Sequence, residues 1–341
     1  MAYGSVLGRN TKPQFVPTFA ISGPLPGDTV TVSYGRTTVE AVEDNGVWYA
    51  KAWAYGSYTV SVGSKSITVN VDEVKLYEVV LKSSLNDSSW NAIRKVADAG
   101  QASNYWNVGD TKSIILNGTV QGTTFSNFTV NVFIIGIDHN SNIEGTNRIH
   151  FQIGKTTSSI NIAFCDSYYN SAGTFDGFRI NLSATNSGGW NGSYGRKTLL
   201  GNIGTPVSPI ANSFIVALPS DLRSVMKSVT KYTDNTGNAN DTSDVVTATN
   251  DYLFFLAEFE VQGIHTWANS YEQNYQTQYD YYKAGNSKIK YRHDSTSTAV
   301  LYWCRSPDAT SNDGFCDVNE SGGASRARVL ASYGLAPAFC V

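Results

Sequence analysis

The sequence is poor in charged side chains. Asp, Glu, Lys and Arg make up 16% of its 341 residues, against about 25% in an ordinary globular protein. The formal net charge is −3 and the isoelectric point is about 5.8, so the chain lacks the basic field that holds a phosphate backbone. These values predict no binding to nucleic acid, and they exclude coiled coils and charged disordered tails.

The sequence also lacks a long apolar run. The longest one lies near Phe128–Ile137 and is shorter than the ~18–20 residues of a membrane-spanning helix, so we expect no membrane insertion. Residues 1–10 lack the basic segment followed by an apolar stretch that marks a secretory signal. We therefore expect synthesis in a reducing cytoplasm without a signal peptide.

Cysteine is scarce and scattered. The four residues Cys165, Cys304, Cys316 and Cys340 include no pair with CxxC spacing, so they predict free thiols rather than a disulfide framework. Neither Cys316 nor Cys340 is flanked by a His or Lys that would lower the pKa of its thiol. We interpret these cysteines as inert.

Enzyme motifs are absent too. The chain contains no GxGxxG, GxxxxGK[ST], HExxH or GxSxG sequence, and its four histidines share no metal-ligand spacing. We predict no catalytic residue, no metal site and no cofactor, and we interpret His139 and His150 as structural. One alternative stays open, because the acidic and amide side chains of residues 234–244 could hold Ca²⁺ although they do not follow the EF-hand order.

What the sequence does contain is typical of β-sheet. It has 20 Tyr and 30 Gly, a balance that favours strands and turns over helical bundles. Residues 14–82 alternate apolar and polar side chains in short segments, and Asp44-Asn45-Gly46 is a strong hairpin signal. We predict a small antiparallel sandwich at 14–82, preceded by an N-terminal segment at 1–13.

Residues 83–341 mix strand and helix patterns, so the whole chain is predicted to be mainly β with some α (α+β). Trp90, Ile93 and Val96 have helical spacing between a Ser cap and Gly100. A second helix is predicted from Ser220 to Val229. Four tyrosines also fit a helical stripe: Tyr271, Tyr275, Tyr279 and Tyr282.

The C-terminal tail has an unusual composition. From residue 306 to the end there is no Lys, Gln, Met or Trp, and Glu320 is the one Glu. The residues that remain are mostly short, with Arg326 and Arg328 among them. Composition alone leaves two interpretations open, an adaptable polar surface and a simple Gly/Ser-rich terminal loop region.

Several motifs resemble the DUF6273 family of phage and prophage proteins over about residues 84–341. These motifs occur in the family's order at 102–112, 251–260, 268–275, 302–307 and 332–339. The resemblance implies a tail protein, in which residues 14–82 look like the Ig-like or carboxypeptidase-regulatory-like modules that precede this domain.

The ending is also similar to the C-type-lectin-like (formylglycine-generating-enzyme-like) fold of variable proteins diversified by retroelements. The positions that match the framework are Trp303, Arg305, Ser306, Pro307, Gly334, Pro337 and Phe339. The resemblance implies a variable region at about 302–333. It carries over ten ligand-binding candidates: Cys304, Asp308, Ala309, Thr310, Asp317, Asn319, Gly323, Arg326, Arg328 and Leu330.

Diversification in that family replaces adenines in the gene, commonly in Asn codons. The replaced codons can encode many residue types but never Lys, Glu, Gln, Met or Trp. The tail composition fits this filter except at Glu320. The typical members carry many Tyr in the variable region, but this chain has none between Tyr302 and Tyr333. Large aromatic anchors usually dominate binding energy, so the lack of Tyr in this region weakens the expectation of high affinity.

These features predict a non-enzymatic recognition protein. Its partners would be a host cell-surface receptor, protein or glycan, and other tail proteins through the N-terminal domain, and its location would be the virion tail. A homo-oligomer is left open. The alternatives are a fixed structural tail protein, a bacterial surface adhesin without diversification, a calcium-dependent lectin, and a formylglycine-generating enzyme with copper between Cys316 and Cys340.

Overall fold

The computed structural model describes residues 16–173 and 175–341. Strands account for 39% and helices for 17% of it, which confirms the prediction of a β-rich α+β chain. The chain divides into two compact units between Ser88 and Ser89, whereas the predicted boundary was 82/83. The predicted N-terminal segment 1–13 lies outside the described residues.

The first unit consists of strands and turns. Its described strands are β1 (Thr18–Ser22), β2 (Val30–Tyr34), β3 (Thr37–Glu40), β4 (Val42–Asp44), β5 (Val47–Lys51), β6 (Gly56–Val62), β7 (Lys65–Val71) and β8 (Leu76–Val80). The hairpin signal is confirmed, since β4 pairs with β5 across Asn45 and Gly46 with φ of 53° and 80°. Positive φ at both positions is what a type I′ hairpin turn requires.

Two four-stranded sheets, β4-β5-β1-β8 and β3-β2-β6-β7, share one apolar core. Alternate residues of β1, β2, β5, β6 and β8 contribute to it, as the period-2 pattern predicts, whereas β4 is exposed throughout. Phe19 of the first sheet and Tyr58 of the second meet there with ring centroids 5.2 Å apart. Strand β8 pairs in parallel with β1, which departs from the antiparallel arrangement predicted for residues 14–82.

The second unit contains the remaining strands. They are β9 (Thr111–Val120), β10 (Thr123–Ile137), β11 (Ile149–Lys155), β12 (Ile162–Ala163), β13 (Val229–Asp234), β14 (Val246–Asp251), β15 (Leu253–Phe254), β16 (Lys290–Arg292), β17 (Ser295–Val300), β18 (Tyr302–Pro307), β19 (Gly314–Val318), β20 (Ala324–Arg328) and β21 (Ala338–Cys340). The described helices are all short. They are α1 (Trp90–Asp98), α2 (Ala102–Tyr105), α3 (Ser141–Glu144), α4 (Gly189–Gly192), α5 (Phe214–Ala217), α6 (Ser220–Val225), α7 (Glu258–Gln262) and α8 (Asp280–Lys283), with a π-helix at Gly195–Leu200 and 3₁₀ turns at Ser243–Val245 and Ser270–Asn274.

Helix α1 forms where the spacing predicts it. The Ser89 side chain accepts a hydrogen bond from Ala92 N, and Trp90, Ile93, Val96 and Ala97 are buried. Helix α6 is shorter than predicted. It ends at Val225 because Met226 is extended and the following residues leave the helix, with Val229 beginning strand β13.

The tyrosine stripe does not form one helix, so that prediction is wrong. Tyr271 lies in a 3₁₀ turn, Tyr275 ends it, and Tyr282 belongs to the separate helix α8. The physical reason is the burial of Tyr279 between these elements, where its hydroxyl accepts a hydrogen bond from Lys231. A tertiary contact has replaced helical continuity.

The strands of the second unit form several small sheets. The largest has the order β15-β21-β11-β10-β9, and a separate three-stranded sheet has the order β18-β19-β20. The C-terminal strand β21 therefore lies between two neighbours and is paired on both edges. Among the described residues, no helix combines the length and the apolar composition needed to cross a bilayer.

Candidate functional site

The C-terminal sheet is built on a buried framework. All six residues of β18 and all five of β19 are buried, because both faces of these strands are covered. Trp303 donates its indole N–H to the Phe178 carbonyl at 2.9 Å, and its ring centroid lies 4.9 Å from that of Tyr333. Gly334 is required nearby, since a Cβ there would lie 2.8 Å from Ala163 Cβ.

Arg305 connects this framework to the interior. Its guanidinium is fully buried and forms a two-point ion pair with Glu260, one contact being Nη2 to Oε1 at 2.9 Å. It also donates to Thr233 Oγ1 at 2.7 Å. Burial opposes the charge of Arg305, but Glu260 overcomes this effect and raises the pKa of the guanidinium.

Glu260 extends the network to a second cation. Its Oε1 lies 3.0 Å from Lys231 Nζ, which also pairs with Glu144 at 2.8 Å. Burial disfavours the charge of Glu260, yet Arg305 and Lys231 lower its pKa. Burial raises the pKa of Glu144 to about 7.

The two predicted structural histidines adjoin this network. The His139 ring stacks on Tyr279 at a centroid distance of 3.6 Å, and His150 Nδ1 lies 3.0 Å from the Tyr279 hydroxyl. Burial, followed by the charge of Lys231, lowers the pKa of His139 to about 3. Both imidazoles are buried, as an interior role requires.

His139, Glu144 and Glu260 also satisfy the spacing of a metal site, with ligand atoms within 4.8 Å of one another. The ammonium of Lys231, however, lies at hydrogen-bond distance from both carboxylates. Two buried acids thus face two buried cations, Lys231 and Arg305. The charge that a metal would compensate is already compensated, and we assign no metal to the cluster.

His139 gives the network a measurable pH dependence. Its pKa is 6.5 in the unfolded chain and about 3 in the folded one, so below pH 6.5 only the unfolded chain takes up a proton here. The contribution of His139 to stability is therefore lost as pH falls from 6.5 towards 3, by about 1.4 kcal/mol per pH unit, whereas the raised pKa of Glu144 acts in the opposite direction. His139→Phe retains a ring on Tyr279 but cannot take up this proton. We expect its free energy of unfolding to fall by about 2 kcal/mol less than that of the wild type between pH 7 and pH 5.

Denaturant titrations of both proteins at the two pH values measure this difference. An equal loss of unfolding free energy in the variant and the wild type would contradict the assignment.

The ten predicted ligand-binding residues fall into two groups. Four of them are buried and are corrected here, since they do not present a side chain on the exposed surface: Cys304, Asp308, Ala309 and Asp317. Cys304 and Asp317 belong to the doubly covered strands β18 and β19. The Asp308 carboxylate accepts hydrogen bonds from Thr310 N and Arg326 Nη1. Ala309 N donates to the Trp267 carbonyl.

The other six are exposed or half-buried: Thr310, Asn319, Gly323, Arg326, Arg328 and Leu330. Asn319 nevertheless has a local role, because its Oδ1 accepts from the backbone N–H groups of Ser321 and Gly323. It holds the turn between β19 and β20. Strand β20 is an edge strand, and Arg326 and Arg328 project from its exposed side.

A cleft of about 310 Å³ lies beside these arginines. Its polar lining includes Asp308, Thr310, Ser311, Asp313, Arg326 and Arg328. Arg326 is held in place by Asp308 at 2.9 Å and lies 4.1 Å from the centroid of the Trp267 ring. Arg328 is 84% exposed and 3.5 Å from Asp313, so its guanidinium is available to an anionic or hydroxyl-bearing ligand.

Sequence reasoning missed Ser311 and Asp313 in this cleft, and it missed Trp267, whose ring contacts Arg326. Ser311 and Asp313 lie inside the predicted variable region but were not selected as contacts. Trp267 lies far from it in the sequence, and only the folded chain brings its ring under Arg326.

The cysteines and the loop 234–244 were the remaining candidates. The described thiols are all buried and unpaired in disulfides. Burial raises the pKa of Cys340 to about 12 and also raises that of Cys316, which disfavours the thiolate that copper binding needs. In the loop 234–244, Asp234 accepts from the backbone N–H groups of Thr236 and Gly237, so its Oδ1 is already used.

The molecule is thus a two-unit β-rich chain whose last strands carry an exposed polar cleft over a buried ionic framework. Residues 166–341, just over half the chain, match the family described as Domain of unknown function (DUF6273). The chain belongs to this family, and the match is shorter than the expected 84–341. Comparison with curated proteins and with solved structures gives no match.

Proposed function

We propose that the chain is a tail-associated receptor-binding protein of a phage or prophage. The cleft beside β20 binds the host-surface receptor, and the first unit mounts the chain on other tail proteins. The observation that carries the proposal is the contrast within one short segment. Arg326, Arg328 and Thr310 are exposed around a cleft, while the strands beneath them are buried throughout.

This contrast suits a surface whose side chains change. Exposed substitutions away from special contacts usually alter stability by no more than about 0.5 kcal/mol, so the cleft can vary while the backbone stays fixed. All seven positions that match the framework are buried, which supports their role as fixed residues. Glu320, the exception to the adenine filter, lies exposed in the turn before β20.

The finer fold assignments belong to the same proposal. Two four-stranded sheets around one core support an Ig-like sandwich for the first unit. A C-terminal strand paired on both edges and a buried Trp303-x-Arg305-Ser-Pro motif on β18 support a C-type-lectin-like fold for the second. Diversification by a retroelement follows from that resemblance.

Sequencing many copies of the gene segment for residues 300–335, from a growing population of its source, tests diversification. We expect substitutions at the codons of Thr310, Arg326 and Arg328 and none at those of Trp303, Arg305 and Pro307. Segment 89–300, which we expect to be uniform among the copies, serves as the internal control. A segment 300–335 as uniform as that control would leave a fixed adhesin or structural tail protein as the better account.

A further inference from the structure

A second buried lysine site lies away from the ionic network. Lys290 on β16 is 1% exposed, and no acidic residue in the described part of the chain forms an ion pair with it. Its ammonium nitrogen lies 5.6 Å from the centroid of the Phe133 ring and 5.4 Å from that of Tyr302. The positive charge of Lys155, another buried lysine, acts on Lys290 and lowers its pKa.

Lys290 has one amide for a partner. Its Nζ donates to Gln152 Oε1 on β11 at 3.1 Å, and the Gln152 side chain is fully buried. The Tyr282 hydroxyl donates to the same oxygen at 2.6 Å. An amine and a hydroxyl thus converge on one amide carbonyl in an aromatic pocket closed to water.

We propose that Lys290 and Gln152 form an intramolecular isopeptide bond. The neutral amine of Lys290 attacks Gln152 Cδ, and the Nζ–Cδ bond forms as the carbonyl electron pair moves to Oε1. A proton passes from Nζ to Nε2, the Cδ–Nε2 bond breaks, and ammonia leaves. Lysine ammonium and glutamine amide become one secondary amide and one ammonium ion, so atoms and charge balance without a co-reactant.

Three features of the pocket favour this step. Burial, reinforced by Lys155, lowers the pKa of Lys290 to about 7, so the nucleophilic neutral amine is well populated at neutral pH. The Tyr282 hydroxyl is placed to stabilise the negative charge that develops on Oε1. The fold holds amine and amide together across 138 residues of sequence, which removes the entropic cost of their encounter.

Lys231 shows why the reaction is confined to Lys290. Both lysines are buried, but Lys231 donates to the carboxylates of Glu144 and Glu260, and among the described residues no amide carbonyl is hydrogen-bonded to its nitrogen. Lys290 has an amide where Lys231 has acids. The difference in partners, rather than in burial, selects the reactive amine.

The intact mass of the denatured full-length chain tests the proposal. We expect a mass lower than that of the sequence by one ammonia, and a protease digest with a cross-linked peptide that joins residues 152 and 290. Lys290→Arg should restore the full mass, whereas Lys283→Arg, at an exposed site, should not. Tyr282→Phe should slow bond formation by about 100-fold or more, seen as a mixture of the two masses soon after synthesis.

Ammonia can also be lost at the Asn-Gly pairs, such as Asn45-Gly46 and Asn117-Gly118. That loss would persist in Lys290→Arg and would yield no cross-linked peptide. The wild-type measurement does not depend on how any variant folds. A wild-type mass equal to that of the sequence, or an ammonia loss that survives Lys290→Arg, would overturn the proposal.

Discussion

Replacing Arg305 with Ala is expected to reduce the free energy of unfolding of the 89–341 unit by about 3–5 kcal/mol. The guanidinium is fully buried, and its removal leaves Glu260 with Lys231 as its remaining cation. A buried acid that loses half of its compensation must either stay charged in a poor environment or take up a proton. Thr233 Oγ1 and the Phe255 carbonyl lose their donor as well.

Arg328→Ala is the matched control for this experiment. It makes the same substitution on the same small sheet, but at a side chain that is 84% exposed, so we expect a change within about 0.5 kcal/mol. Denaturant unfolding of the wild type and both variants, followed by fluorescence, measures the two effects. Similar losses for Arg305→Ala and Arg328→Ala would show that the buried network is not the framework of this sheet.

Sequence patterns predicted the elements whose causes are local. The Ser cap and the spacing of Trp90, Ile93 and Val96 define α1, and Asn45-Gly46 defines a hairpin turn. Period-2 alternation predicted strands of the first unit such as β2 and β6, because each of these has one face on the core and one in water. In these cases neighbouring residues contain all the information.

Local patterns could not predict which tail residues are exposed. Strands β18 and β19 are covered on both faces, so alternation does not apply to them, and Cys304 and Asp317 are buried against expectation. The ionic network could not be predicted from local patterns either, because Glu144, Lys231 and Arg305 are far apart in the sequence and lie on separate elements. In the local sequence, nothing distinguishes any of the three from an ordinary surface charge.

We expect the two arginines of the cleft to have a large effect on binding. Replacing both Arg326 and Arg328 with Ala is expected to weaken attachment of the chain to host cells by about 30-fold or more, since a hot-spot arginine contributes about 2 kcal/mol or more. Arg326 lies on Trp267 and is held by Asp308, so little side-chain freedom is lost when a ligand binds. Arg328 supplies a more exposed donor beside it.

Lys283→Ala combined with Arg36→Ala is the control, because both side chains are exposed cations on other elements. It changes the net charge by the same amount as the double arginine variant. A general electrostatic attraction to a charged cell surface would therefore weaken equally in the two proteins. Unfolding curves of both variants exclude loss of the fold as the cause of weaker binding.

Attachment of the fluorescently labelled chain to cells of the organism that carries the gene, and of its close relatives, is the most direct test of a receptor-binding cleft. The account predicts saturable binding to at least one strain, nearly unchanged in the Arg36/Lys283 control and lost in the Arg326/Arg328 variant. Equal binding by all three proteins, or no binding to any strain, would contradict it.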